Sequence, residues 1–214
     1  MKLIGMLDSP YVRRVAISLQ LLGLRFEHQS LSVFSTFAQF QQINPVVKAP
    51  SLICDDGEVL MDSSLILDYA EALAGTGTGK SLMPDSITER QHVLHVIGLA
   101  LAACEKSVQI IYEQNLRPAE KQHAPWVERV TGQLLAAYDG LEVALARRSR
   151  EVSSRTIDQA AISAAVAWHF TQATLPSFVL VGDYPQLSAL SAKAEALPAF
   201  VAAPHGAETY QPTI

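Results

Sequence analysis

The stretch Ser9-Pro10-Tyr11-Val12-Arg13-Arg14 stands between an apolar run at residues 2–7 and a pattern that puts Val12, Val15, Leu19 and Leu22 on one side of a helix. That spacing predicts a helix over 11–22, stopped by Gly23, with a short buried strand before it. A serine at such a strand-to-helix turn holds its hydroxyl beside the unpaired N–H groups of the first helical turn, a place that favours an anion. Ser followed by Pro is also an ordinary helix start, with Ser9 as N-cap and Pro10 at the first helical position, and that reading implies no chemistry.

Working outward, residues 25–31 read as a second strand and 34–43 as an irregular helix, ended by Asn44-Pro45. Two short apolar runs at 51–54 and 58–61 flank Asp55-Asp56-Gly57, whose Asp-Gly step suits a hairpin turn. Ser63 or Ser64 then starts a helix to about Leu73, and Gly75-Thr76-Gly77-Thr78-Gly79 ends it with flexible composition. Beyond Pro84 the chain is rich in Ala, Leu, Val and Gln, with helical periodicity at 86–116, 125–148, 157–171 and 185–196 and no strand pattern. The expected organisation is an α/β domain over 1–76, a linker over 77–84 and an all-α domain over 85–214. Thr156-Ile157-Asp158-Gln159 reads as a capping box, Thr156 as the cap and Gln159 three residues later, before the apolar run from Ala160 to Trp168.

Composition narrows the function. The 214 residues are 49% hydrophobic and 17% charged, which fits a globular chain and excludes a disordered one. A net charge of −5 leaves no broad cationic surface, so neither nucleic acid nor a membrane is an expected partner. The apolar stretch before Asp8 is too short for a signal-peptide core, and Val93 to Cys104 is shorter than a bilayer span, so a cytoplasmic location is expected. Cys54 and Cys104 show no Cys-x-x-Cys spacing and read as buried free thiols. Glu89, His92 and His95 share a helix face but lack further ligands nearby, so no metal is expected.

Three motifs in the first 65 residues, Ser9 to Arg14, Lys48-Ala49-Pro50-Ser51-Leu52 and Asp62-Ser63, together resemble the glutathione-binding half of the glutathione S-transferase family. The resemblance covers nearly the whole chain, because a thioredoxin-like βαβαββα domain followed by a helical domain is the family's plan. Tyr184-Pro185 and Leu197-Pro198-Ala199-Phe200 are similar to its closing helices. The Ser9 motif resembles that of serine-type bacterial and theta-like members, and the resemblance implies that Ser9 stabilises the thiolate of bound glutathione. It implies a cis peptide at Pro50, which exposes the main chain of Ala49 to the cysteinyl unit. Asp62 and Ser63 would take the ammonium and carboxylate of the γ-glutamyl unit, and Lys48 is a candidate for the glycine carboxylate. Tyr11 and Tyr112 are candidate walls of the electrophile pocket, expected between Tyr11 and the helical domain. Glutathione is then a co-substrate beside a small apolar electrophile, and a homodimer is implied.

A free thiol with a pKa near 8.5 is only about 3% ionised at pH 7. Lowering that value by about two units takes roughly 2.7 kcal/mol, which one charge-assisted hydrogen bond largely supplies. Arg13 and Arg14 read as solvated surface arginines. Two alternatives remain at this stage: a glutathione-binding or regulatory protein without turnover, and a glutathione-dependent reductase, isomerase or dehalogenase. Residues 8–14 hold no cysteine, which a disulfide reductase would be expected to offer there.

Overall fold

The apolar run at the start of the chain forms strand β1, Lys2–Ile4, and then stops at Gly5, whose φ of +133° takes the chain out of the pleat. A side chain at Gly5 would also meet Val12 Cγ2 at 2.6 Å, so the residue is required both for its conformation and for its close approach to the next helix. In the computed structural model, which describes residues 1–148 and 152–211, the elements then follow in the order expected. They are α1 (Pro10–Leu21), β2 (Glu27–Gln29), α2 (Phe37–Ile43), β3 (Ser51–Ile53), β4 (Val59–Met61) and α3 (Ser63–Thr76). The helices α4 (Ile87–Leu116), α5 (Ala124–Ala146), α6 (Gln159–Thr174), α7 (Pro185–Glu195) and α8 (Pro198–Val201) complete the described chain.

The four strands form one mixed sheet in the order β2-β1-β3-β4, with β1 parallel to β2 and the other pairs antiparallel. Asp56 and Gly57 turn the β3–β4 hairpin: Gly57 adopts φ +92°, and Cys54 N–H donates to the Glu58 carbonyl at 2.8 Å. Ile4 packs with Leu31 and with Phe40 of α2, while Leu3, its side chain on the opposite sheet face, is fully buried too. A strand buried on both faces explains why β1 reads as a continuous apolar run instead of an alternating one. This is a thioredoxin-like domain.

The chain divides into two compact units, one of residues 1–84 together with the residues from 195 onward, the other Asp85–Ala194. The sequence reading carried the helical domain to residue 214, whereas residues 195–211 pack with the first unit. There Arg13 holds Glu195, Gln20 Nε2 donates to the Ala199 carbonyl at 3.0 Å, and Phe26 stacks on Tyr210 with ring centroids 4.5 Å apart. The glycine-rich stretch after α3 is tied down as well. Gly79 N–H donates to the Ala74 carbonyl at 2.8 Å and Thr78 Oγ1 to the Leu22 carbonyl at 2.7 Å.

The second unit is helical throughout its described residues. Its α6 is buried along most of its length, and Thr171 at its core joins Tyr138 Oη at 2.6 Å and Ser107 Oγ at 2.8 Å. The 30-residue α4 has the length and apolar composition to cross a bilayer, yet it packs along α5 and α6 as the central helix of its unit. The start of α6 differs from the expected capping box. Asp158, not Thr156, is the N-cap and accepts the Ala161 N–H at 3.0 Å, while Thr156 Oγ1 pairs with Ser153. Asp ranks above Thr as an N-cap, and here it also gains an ion pair with Arg148.

Candidate functional site

The sheet register brings the three motifs to one place. Ile4 pairs with Ser51, and Ser51 pairs with Met61, so the end of β1, the start of β3 and the end of β4 form one row. Residues 5–9, 44–50 and 62–63 therefore all leave the same edge of the sheet. Further contacts knit them: a Cβ on Gly5 would lie 3.2 Å from the Ala49 Cβ, Lys48 Nζ is 3.7 Å from Asp62 Oδ2, and Arg14 of α1 reaches Ser63.

Ser9 is half-buried and occupies the N-cap position of α1 in extended conformation, with Pro10 at the first helical position. Its carbonyl accepts the Arg13 N–H at 2.9 Å, which opens the helix, but its hydroxyl makes no capping bond. The helix therefore uses the backbone of Ser9 and leaves the hydroxyl uncommitted to capping. Next to it, desolvation raises the pKa of the Asp8 carboxyl, against the pull of the backbone N–H groups of Ser9 and Asp8.

The Ala49–Pro50 peptide is cis, and the loop that carries it is built on Asn44. This buried amide donates to Ser51 Oγ at 2.8 Å and accepts the Val46 N–H at 3.0 Å, while Ser51 Oγ donates to the Lys48 carbonyl at 2.8 Å. Asn44, read from sequence only as a helix stop, is thus the organiser of this loop, and Ser51 is its fully buried partner. The Ala49 side chain packs against the Ile4, Leu31 and Phe40 cluster, which leaves main chain as the part of Ala49 able to meet a ligand. Lys48 is exposed, and it faces Asp62 rather than any carboxylate further from the α3 terminus.

Asp62, at φ +74°, is the N-cap of α3: its Oδ1 accepts the Ser64 N–H at 2.9 Å and its Oδ2 faces Lys48. Ser63 is 3% exposed, and its hydroxyl oxygen accepts from Arg14 Nη1 at 3.0 Å; the Ser64 hydroxyl accepts from the same nitrogen at 3.3 Å. The reading of the two arginines as surface groups is corrected here. Arg13 and Arg14 are 2% and 3% exposed. Arg13 makes a bidentate pair with Glu195 at 2.7 and 2.6 Å, donates to the Ala203 carbonyl at 2.8 Å and lies 5.7 Å over the Phe200 ring. The α3 terminus thus combines first-turn N–H groups, a buried guanidinium and one carboxylate, an arrangement suited to a group that carries both an anion and a cation.

Tyr11 is half-buried on the first turn of α1, and Tyr112 lies on α4 of the second unit at 42% exposure. His92 and His95 are exposed, and among the described residues no group of three or more His, Cys, Asp or Glu side chains gathers for a metal. Both cysteines are buried free thiols, and burial pushes Cys54 up.

Residues 3–79 match the family model of the glutathione S-transferase N-terminal domain. The uncharacterised GST-like protein YibF of Escherichia coli is 27% identical over 187 residues, 87% of this chain and 90% of YibF. A glutathione transferase family member of Pseudomonas fluorescens, crystallised with bound glutathione, is 28% identical and superposes with a TM-score of 0.78 over 100% of this chain and 99% of its own. Ure2p in complex with glutathione, at 19% identity, a TM-score of 0.77 and coverage of 94% and 91%, shares the fold. With the sheet order, the cis-Pro50 loop and the α3 terminus in the same arrangement as the motifs foretold, this chain belongs to the glutathione S-transferase family.

Proposed function

We propose that the protein is a serine-type, theta-like cytosolic glutathione transferase, in which Ser9 stabilises the thiolate of bound glutathione for attack on a small apolar electrophile. The observation that carries this reading is the Ser9 hydroxyl, which sits at a helix N-terminus and yet makes no bond to that helix. A cap serine kept for folding alone would accept a first-turn N–H. Glutathione as the ligand is supported by the Pseudomonas fluorescens relative and its bound tripeptide.

In this reading the tripeptide lies extended, its cysteinyl main chain against Ala49 beside cis-Pro50 and its γ-glutamyl end at Asp62 and Ser63. Lys48 leaves Asp62 to the ligand ammonium and turns to the glycine carboxylate. The Ser9 O–H donates to the sulfur, the thiol proton leaves to solvent, and the sulfur attacks the electrophilic carbon. A new C–S bond forms as a leaving group departs with its electron pair, or as the electrophile's double bond takes up a proton. Tyr11 and Tyr112 are proposed to meet the electrophile, and no metal takes part. The cytoplasm as location and a homodimer as assembly complete the reading, the latter checked by sedimentation equilibrium.

A second reading, binding without turnover, has the support of Ure2p, a glutathione-bound protein with this fold that also forms a nitrogen regulation fragment. Chloronitrobenzene conjugation by the wild-type protein and by Ser9→Ala separates the two. Turnover that falls in the variant supports catalysis, whereas glutathione binding by calorimetry without turnover in either protein supports the binding role.

A further inference from the structure

We propose that Arg14 is a positioning residue for the anion at the α3 N-terminus: its buried guanidinium fixes the Ser63 and Ser64 hydroxyls as donors to the γ-glutamyl carboxylate. The inference rests on the proposed placement of glutathione and assigns a role that neither the motifs nor the relatives specify.

The argument is one of hydrogen-bond bookkeeping. A serine hydroxyl has one hydrogen and two acceptor lone pairs, whereas a guanidinium has only donors. Because Arg14 Nη1 donates to Ser63 Oγ at 3.0 Å, the Ser63 hydrogen cannot point back at Arg14 and is turned toward other acceptors. The longer contact to Ser64 Oγ, 3.3 Å, biases the second hydroxyl in the same way. Asp62 Oδ1 already takes the Ser64 N–H at 2.9 Å, so the carboxylate of a ligand must rely on the remaining first-turn N–H groups and on these hydroxyls. Donation from a cation strengthens each hydroxyl as a donor in turn.

Burial adds a second effect. Arg14 is 3% exposed and remains charged at any pH the fold tolerates, so its field is weakly screened at the α3 terminus. It is anchored from behind by its own helix, where Ser18 Oγ donates to the Arg14 carbonyl at 2.7 Å. The fork of the guanidinium matters as well as its charge. One planar nitrogen spans two hydroxyls, a geometry that a lysine ammonium on a flexible stem does not reproduce.

The test is a cycle between protein and ligand, read by calorimetry on the full chain. Its ligands are glutathione and the analogue whose γ-glutamyl α-carboxylate is replaced by a neutral carboxamide. Wild-type protein is expected to bind the analogue at least about 10-fold more weakly than glutathione, the loss of a charge-assisted bond. Arg14→Gln should weaken glutathione by about 10-fold and the analogue by less than about 2-fold, with the pKa of the bound thiol unmoved. Equal weakening of both ligands would assign Arg14 a merely structural role and overturn the proposal. If wild-type protein does not discriminate the two ligands, the placement of glutathione itself fails. Nitrogen NMR of the Arg14 side chain in the wild-type protein needs no variant to fold. Its signals should shift when glutathione is added and stay in place with the carboxamide analogue, and an identical response to both would also overturn the proposal.

Discussion

The starts of α1 and α6 show two uses of one structural position. At α6 the cap side chain serves the fold: Asp158 is 3% exposed, holds the Ala161 N–H and pairs with Arg148. At α1 the cap residue contributes only its backbone, and the Ser9 hydroxyl makes no capping bond. One helix start is built for stability and the other is left open toward a ligand. The α3 terminus stands between them, since Asp62 caps its helix with one oxygen and keeps the other facing Lys48.

The largest effect should come from the start of α6. Asp158→Ala removes a cap and strands Arg148, and because Arg148 retains some solvent the loss is expected at the lower end of the range for buried pairs, about 3 kcal/mol in urea unfolding. The affinity of the folded variant for glutathione should be unchanged. An unaltered stability would break the contrast between the two helix starts. The mixed case comes next. Asp62→Asn keeps a cap at α3 while removing its charge, and combined with Ser63→Ala it should reduce glutathione affinity by more than about 2 kcal/mol in calorimetry, since two charged ligand groups lose partners. Full affinity in that double variant would remove Asp62 and Ser63 from the site.

A smaller effect concerns the chain end that returns to the first unit. His28 Nε2–H donates to the Gly5 carbonyl at 2.7 Å and Nδ1 accepts the Tyr210 N–H at 3.0 Å, so the ring is held neutral, and burial lowers its pKa below the usual 6.5. A histidine with a lowered folded pKa contributes fully above its unfolded value, and the contribution is lost as pH falls below about 6.5. Hydrogen exchange should show a lower protection factor for the Tyr210 amide at pH 5 than at pH 7.5. Equal protection at both values would show that the ring does not hold the segment.

The pattern of elements was legible from local sequence because each signal lies within a few residues: Asp56-Gly57 for the hairpin, the Val12 to Leu22 face for α1, glycines for the ends. The site was legible where its residues abut strand ends, as at Ser9, Pro50 and Asp62-Ser63. What could not be read depends on partners far along the chain. Arg13 is buried because Glu195 and Ala203 return to it from 182 and 190 residues away, and Arg14 because Ser63 lies 49 residues on. The same distance hid the return of residues 195–211 to the first unit. The α6 cap was misread for a local reason: Thr156 and Asp158 both qualify, and the choice fell to the one that also meets Arg148. Asn44 gave a signal of its own, since a buried-looking Asn-Pro before a cis-proline loop offers the amide such a loop needs.

The central claim is that the hydroxyl at the start of α1 serves the ligand and not the helix, and Ser9→Ala measures both halves of it at once. Urea unfolding should change by less than about 0.5 kcal/mol, because no capping bond is lost. Ultraviolet thiolate absorbance against pH should show the pKa of bound glutathione raised by about one to two units. A variant that loses about 1 kcal/mol of stability while its bound thiol keeps the wild-type pKa would contradict the account, and would return Ser9 to the role that Asp158 plays at α6.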